Sequence, residues 1–171
     1  KKTARLLLEI GAVNFNLDNP FTLTSGLTND ITLTNLSNDF GTVTITTGNN
    51  VNLRDVSGLI LNPVTASQVA GNLTLQTAGG VALALPAITL GSGNNLSITS
   101  MGTVTDSGSL IVPGTTTISA TGLDVTFDDS SNNFGKNSKN IRIFSAIILL
   151  VLSERTVYDE ACVHRTCTYV C

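Results

Sequence analysis

The sequence predicts an all-β protein built as a parallel β-helix, a solenoid in which short strands stack coil upon coil. Three observations predict this fold. The 171 residues include 25 Thr, 17 Asn and 15 Ser but only 12% charged residues, which favours strands and turns over exposed helical faces. Apolar residues recur in pairs separated by one polar residue, the period of a strand. These pairs return every 20 to 23 residues, which is typical of a solenoid coil.

Each apolar pair predicts one short strand with two side chains directed inward and a neutral polar group directed outward. Gly and Asn fill the gaps between the pairs and favour corners. In chain order, the predicted strands contain Phe15/Leu17, Phe21/Leu23, Ile31/Leu33, Val43/Ile45, Val51/Leu53, Leu59/Leu61, Leu73/Leu75, Ile88/Leu90, Leu96/Ile98, Leu110/Val112 and Val125/Phe127.

A short internal repeat sets the expected stacking. The block NVNL at Asn50 recurs as NLTL at Asn72 and NLSI at Asn95, and DITL at Asp30 precedes them. This repeat predicts five or six coils, about 25 to 30 Å in length at ~4.8 Å per coil. It predicts an inward column of Leu33, Leu53, Leu75 and Ile98, with Thr32, Asn52, Thr74 and Ser97 outward. A constant 23-residue step also aligns Gly79 with Gly102, Val81 with Val104, Ile88 with Ile111 and Gly91 with Gly114.

A longer repeat overlies the short one, because DITLTNLSNDFG at residues 30–41 matches DVTFDDSSNNFG at residues 124–135. This block, with ITLTNLSNDFGTVTI, NNVNLRD, GNLTLQTAGG and SLIVPGTTTISA, resembles the passenger repeats of filamentous-haemagglutinin-like exoproteins, the large adhesins of two-partner secretion. The resemblance covers about residues 12–135. It implies a right-handed parallel β-helix, export through an outer-membrane transporter, an extracellular or bacterial cell-surface location, and adhesion. Any host receptor or glycan would then bind other parts of the full protein.

The repeat pattern stops after Gly135, where GTVTI in the first block is replaced by GKNSKNIRI. We therefore divide the chain into residues 1–11, a fragment start or N-terminal cap; residues 12–135, the β-helix repeat domain; and residues 136–171, a non-repeat tail. The tail is either a cap or the product of a frameshift. Its apolar run at 146–152 contains no Gly or Asn, which predicts a short helix over 147–152, or coil, laid as a lid near Phe127 and Phe134.

Charge and apolar runs exclude several functions. Between residues 6 and 135, Arg54 is the only cation against nine acidic residues, so this body cannot neutralise a phosphate backbone, and we expect no nucleic-acid partner. The longest apolar run, residues 144–152, is too short to span a membrane as a helix. The repeat domain contains no Cys and so does not depend on disulfides.

Two clusters invite a metal hypothesis, and we predict no metal at either. Cys162, His164, Cys167 and Cys171 provide four possible zinc ligands, but their spacing does not form two separated knuckles. Residues 128–133 are rich in Asp and Asn, but Asn133 stands where a calcium loop needs Gly and Lys139 where it needs Glu. We interpret this cluster as a solvated turn.

Other polar patterns have structural and functional interpretations. Asp106 and Asp129 lie one 23-residue step apart, so their carboxylates stack about 5 Å apart, a retaining-glycosidase separation, although stacked turn residues do the same without catalysis. Thr-x-Thr strands suggest an ice-binding ladder, which breaks because Thr22 and Thr24 step to Thr42 and Thr44 and then to Asn62 and Val64. The Asp30, Asn50, Asn72 and Asn95 column predicts a structural ladder of side-chain amides. Asn-x-Ser/Thr tripeptides begin at Asn35, Asn72 and Asn95 and carry little weight in this composition.

The most direct interpretation is a structural stalk segment of a secreted or cell-surface adhesin, with no catalysis, no cofactor and no metal. The alternative is a carbohydrate-active β-helix enzyme, a glycan hydrolase or lyase. The repeat domain contains no His, which excludes a Ser-His-Asp triad there, and it contains no Trp to form a sugar platform.

Overall fold

The computed structural model describes residues 20–120 and 123–135, together with the backbone of three short strands at residues 4–5, 16–17 and 148–150. All regular structure among these residues is β-strand. The strands are β1 Ala4–Arg5, β2 Asn16–Leu17, β3 Phe21–Thr24, β4 Ile31–Leu33, β5 Asp39–Phe40, β6 Thr42–Thr47, β7 Val51–Asp55, β8 Ile60–Leu61, β9 Leu73–Thr77, β10 Leu83–Leu85, β11 Ile88–Thr89, β12 Leu96–Ser100, β13 Val104–Asp106, β14 Leu110–Val112, β15 Thr116–Ala120, β16 Val125–Phe127, β17 Asn133–Phe134 and β18 Ile148–Leu150.

The strands stack on three faces, and every strand pairing is parallel, which confirms the predicted β-helix. Face 1 contains β1, β3, β6 and β8, and a bridge between Val64 and Ile88 continues it into β11, β14 and β17. Face 2 is a five-stranded sheet in the order β4, β7, β9, β12 and β15, one strand for each of about five coils. Face 3 contains β2 with β5, and β10, β13, β16 and β18.

The inward column on face 2 confirms the predicted core. Leu33 pairs with Leu53, Leu53 with Leu75, and Leu75 with Ile98, and all four side chains are buried. The column continues to Ile118, which the short repeat did not reveal. The outward neighbours Thr32, Asn52, Thr74 and Ser97 are half-buried. These aliphatic side chains form one continuous core with those of faces 1 and 3, and its burial is the main force that holds the coils together.

The length of a coil varies, and the constant 23-residue step is wrong on two faces. Ile88 pairs with Leu110 rather than with Ile111, and Val104 pairs with Leu83 rather than with Val81. Because side chains alternate between the two sides of a strand, a one-residue difference places a side chain on the opposite side. Ile88 is therefore buried and Ile111 half-buried, whereas Val81 lies exposed at a corner.

Aromatic side chains pack near both ends of the described stack. Phe21 and Phe40 stack with ring centroids 6.1 Å apart, and Phe127 and Phe134 lie 6.0 Å apart in a tilted arrangement. No aromatic residue occurs between residues 41 and 126, so the middle of the core is aliphatic. The broad rings thus fill the core where fewer coils remain to cover it.

The 94-residue repeat is a corner unit that advances by one face. In the first copy, β4 lies on face 2 and β5 on face 3; in the second, β16 lies on face 3 and β17 on face 1. The loop hydrogen bonds are the same in both copies: the N–H of Asn38 donates to the carbonyl of Asn35, as that of Asn132 does to Asp129. The repeat therefore spans four coils and one additional face.

The tail differs from expectation where it is described. Ile148–Leu150 forms strand β18, which pairs in parallel with Val125–Phe127, so the prediction of a helix or coil is wrong for these three residues. The exposed N–H and C=O groups along β16 offer hydrogen bonds that an isolated helix on the core end would leave unmade. The remainder of the predicted lid, and the Cys-rich end, lie outside the described residues.

Candidate functional surface

The corner between faces 1 and 2 carries a continuous ladder of side-chain hydrogen bonds, here called the corner ladder, formed by Asp30, Asn50, Asn72, Asn95 and Thr115. The side-chain oxygen of each member accepts the backbone N–H of the next member, one coil further on. The distances are 3.0 Å from Asn50 to Asp30, 3.0 Å from Asn72 to Asn50, 2.8 Å from Asn95 to Asn72 and 2.7 Å from Thr115 to Asn95.

A backbone hydrogen bond runs in the opposite direction at every step of the corner ladder. The carbonyl of Asn50 accepts the N–H of Ile31 at 2.8 Å, and the carbonyl of Asn72 accepts the N–H of Val51 at 2.9 Å. Consecutive coils are therefore joined by two reciprocal bonds at the same corner, which fixes their relative register. The predicted structural role of the column matches this geometry, but most bonds are made to backbone N–H groups rather than between side-chain amides. Thr115, which sequence reasoning missed, continues the ladder without an amide.

The first member of the corner ladder is charged and fully exposed. The backbone N–H of Asn50 holds the pKa of Asp30 below its ordinary value, and the side-chain amides of Asn49 and Asn50, which donate to Asp30 Oδ1, act in the same direction. Hydrogen bonds to a carboxylate favour its ionised form. Asp30 is therefore an anionic end to an otherwise neutral ladder.

Glycines beside the corner ladder make room for its side chains. A Cβ atom on Gly71 would lie 2.5 Å from Asn50 Oδ1, and one on Gly114 would lie 2.6 Å from Asn95 Oδ1. Any larger residue at these positions would displace the oxygen that accepts the N–H of the next coil. The Gly-Asn and Gly-Thr dipeptides at the corner are thus required by close approach between coils.

A second polar column lies inside the solenoid, at the third inward position of the face 2 strands. Asp55, Thr77 and Ser100 stack in register there and are buried. Asp55 Oδ2 accepts the N–H of Phe40 at 2.7 Å, and Asp55 Oδ1 accepts the N–H of Ser57 at 2.8 Å. The Thr77 and Ser100 hydroxyls lie 3.0 Å apart. These groups bond the corner that leads from face 2 to face 3. Continuing period two beyond Leu53, Leu75 and Ile98 would have identified them.

The two carboxylates proposed as a glycosidase pair do not stack. The register on face 3 joins Val104 to Val125, a step of 21 rather than 23 residues. Asp106 instead accepts the backbone N–H groups of Asp128 and Asp129, each at 3.2 Å, and the side-chain amide of Asn132. Asp129 Oδ1 accepts the N–H of Ser131 at 2.7 Å. In this arrangement both carboxylates stabilise a turn.

Residues 128–133, the candidate calcium loop, form that turn. The Asn132 side-chain oxygen accepts the N–H of Leu110 at 2.7 Å, so its oxygen is also directed at backbone. Within the described part of the chain, no group of three or more His, Cys, Asp or Glu residues is arranged to hold a metal ion. The candidate zinc ligands Cys162, His164, Cys167 and Cys171 lie outside the described residues.

The threonine ladder on face 1 breaks, although not at the residues expected. Thr22 pairs with Thr44 rather than with Thr42, because the first step is 22 residues rather than 20. Asn62 then donates its amide to Thr44 Oγ1 at 2.8 Å, while Thr42 pairs with the exposed Ile60. An amide and an isoleucine thus interrupt the rank of hydroxyl groups after two coils.

The outer surface of face 2 is polar throughout and contains a single described cation. Arg54 pairs with Gln76 in the strand register, and its Nη1 lies 3.4 Å from Gln76 Oε1. The other outward positions at the strand centres carry Thr, Ser or Asn side chains. The face therefore offers neutral hydrogen-bonding groups at regular strand spacing and no catalytic combination of side chains.

Comparison with known proteins gives one family match. Residues 70–139 match a family model described as "Repeats of unknown function (DUF5649)". Over coils three to five, the chain is similar to these repeats. The match covers less than half of the chain. No curated protein and no solved structure is significantly similar to the chain. Among the residues that the structure describes, no helix is long and apolar enough to cross a membrane.

Proposed function

We propose that this protein is a structural stalk segment of a secreted or cell-surface adhesin of the filamentous haemagglutinin type, without catalysis. The observation that carries the proposal is the corner ladder, which joins five consecutive coils by side-chain bonds in addition to the parallel sheets. A rod stabilised in this way resists local opening, because each coil is held at its corner and along its strands. The match to a repeat family supports a repetitive structural role.

The chemistry of the repeat domain supports export. It contains no Cys, so it can cross compartments without forming disulfides, and its one cation against nine acids keeps it soluble as an unfolded chain. We propose an outer-membrane transporter as the partner during export. Receptor or glycan recognition then belongs to other parts of the full protein.

Export can be tested by expressing the full gene product with and without the transporter encoded beside it. Antibody labelling of intact cells should detect the protein at the surface only when the transporter is present. Equal labelling without any transporter, or recovery only from the cytosol, would contradict two-partner secretion. Digestion of the purified chain with proteinase K should leave a core that contains residues 20–135, and rapid loss of that core would argue against a stalk.

The competing function is a carbohydrate-active β-helix enzyme, and the same purified chain separates the two. Incubation with a panel of plant, bacterial and host glycans should release no sugars if the chain is a stalk. Sugar release that is abolished by Asp106→Asn, with the fold intact by circular dichroism, would replace the stalk proposal with the enzyme.

A further inference from the structure

The three Asn-x-Ser/Thr tripeptides occupy two different structural settings. Asn72 and Asn95 belong to the corner ladder, where their oxygens accept the N–H groups of the next coil. Each is followed directly by a strand, β9 or β12, that pairs with a neighbour on both sides. An enzyme that binds the tripeptide would have to separate it from two coils, so these two sites are inaccessible in the folded protein.

Asn35 lies in the loop between β4 and β5 and is free of these constraints. Its Oδ1 accepts the backbone N–H of Ser37 at 2.9 Å, so the tripeptide folds into an Asx turn. Leu36 and Ser37 are exposed, and Leu36 is 68% exposed despite being apolar. Asn35 Nδ2 makes no hydrogen bond to any described residue. The nucleophilic atom and the hydroxyl residue that follows it are thus presented on a surface loop.

The turn also prepares the amide chemically. A hydrogen bond to Oδ1 stabilises the resonance form in which the oxygen carries negative charge, which makes the Nδ2 protons more acidic. We propose that Asn35 is a modification site, the acceptor of an N-linked sugar from a donor activated by a phosphate group at C1. In the transfer, Nδ2 forms the bond to sugar C1, the bond from C1 to the phosphate oxygen breaks, and a transferase base takes the Nδ2 proton. This inference does not depend on the stalk proposal.

The second copy of the 94-residue repeat provides a comparison within the same chain. Asp129 stands at the position of Asn35, and its Oδ1 accepts the N–H of Ser131 at 2.7 Å, the same Asx turn. Burial is also the same: Asp129 is half-buried, and Ser130 and Ser131 are exposed. The two turns differ in the one atom that matters, because a carboxylate has no nitrogen to accept a sugar.

The experiment uses the folded chain, a purified asparagine glucosyltransferase and UDP-glucose, with read-out by intact-mass spectrometry and peptide mapping. A parallel arm uses microsomes that carry a lipid-linked oligosaccharide, to separate the two donor types. A synthetic peptide of residues 30–41 establishes that the transferase accepts this tripeptide. The parent chain should gain one sugar, at Asn35. Asn35→Asp, which keeps the turn, should abolish the gain, and Asp129→Asn should add a second site.

Each other outcome overturns the proposal. If the peptide is modified but the folded chain is not, the turn is not a competent acceptor. Modification at Asn72 or Asn95 in the folded chain would show that the strand pairing does not protect these sites. If Asp129→Asn adds no sugar while Asn35 is modified, the turn geometry is not what selects the site. Circular dichroism of each variant confirms that the fold is retained.

Discussion

Leu75 is the position at which the core can be tested most directly. It lies in the middle of the inward column on face 2, between Leu53 and Ile98, and is fully buried. Its neighbour in the same strand, Thr74, points outward and is half-buried. Replacing each of these two residues by Asp changes the same local charge in opposite environments.

The expected magnitudes follow from burial. Leu75→Ala removes a fully buried side chain and should lower the free energy of unfolding by about 2 to 5 kcal/mol. Leu75→Asp also places a carboxylate between aliphatic side chains with no partner, which costs several kcal/mol more. Together these terms approach the ~5 to 15 kcal/mol that a domain of this size has available. Thr74→Asp leaves its carboxylate in water and should change stability by less than about 1 kcal/mol.

The assay is equilibrium unfolding in guanidinium chloride, followed by far-UV circular dichroism, for the parent chain and the variants Leu75→Ala, Leu75→Asp and Thr74→Asp. We expect Leu75→Ala to shift the midpoint measurably and Leu75→Asp to prevent folding. The reasoning is refuted if Thr74→Asp is as destabilising as Leu75→Asp, because the inward and outward assignments on face 2 would then be reversed.

Four further changes test individual contacts. The Thr116 hydroxyl is buried with no partner among the described residues, so Thr116→Val should raise the free energy of unfolding by about 1 kcal/mol; a lower melting temperature would contradict this. Asp55→Asn places an NH₂ group where the N–H of Phe40 or Ser57 now finds an acceptor and should lower stability by about 2 to 3 kcal/mol in denaturant unfolding. A Cβ on Gly102 would meet a backbone carbonyl of the coil below at 1.9 Å, so Gly102→Ala should lower stability by about 1 to 3 kcal/mol, with an unchanged midpoint as the opposing result. The pKa of Asp30 is lower in the folded than in the unfolded chain, so its ionised form stabilises the fold above pH ~3.9 and this contribution is lost as the pH falls through the folded pKa; melting curves of the parent and Asp30→Asn should therefore differ near neutral pH and converge in acid.

The fold class and the face 2 core could be predicted because their signals are local and repeated. The alternation around Leu33, Leu53, Leu75 and Ile98 states the strand period, and the Asn that precedes three of the four strands states the coil. Register on faces 1 and 3 could not be predicted in the same way. The loops between strands differ in length, so the step from Val104 to Val125 is 21 residues and that from Leu75 to Ile98 is 23.

The polar groups at the corners were predicted only in part. The composition of the column at Asn50, Asn72 and Asn95 indicated a structural ladder, but whether an amide bonds to another amide or to a backbone N–H depends on the spacing of the coils. Strand β18 was missed because the apolar run at 146–152 fits a helix as well as a strand, and only the open edge of β16 favours the strand.

The advance of the 94-residue repeat by one face determines how a longer rod displays its surface. A chain that repeats this unit rotates each copy by about a third of a turn relative to the one before it. A group carried once per unit, such as the turn at Asn35 and its counterpart at Asp129, then points in three radial directions in succession. Such a filament has no preferred side, and any binding partner approaching from the surroundings meets the same group within three units of length.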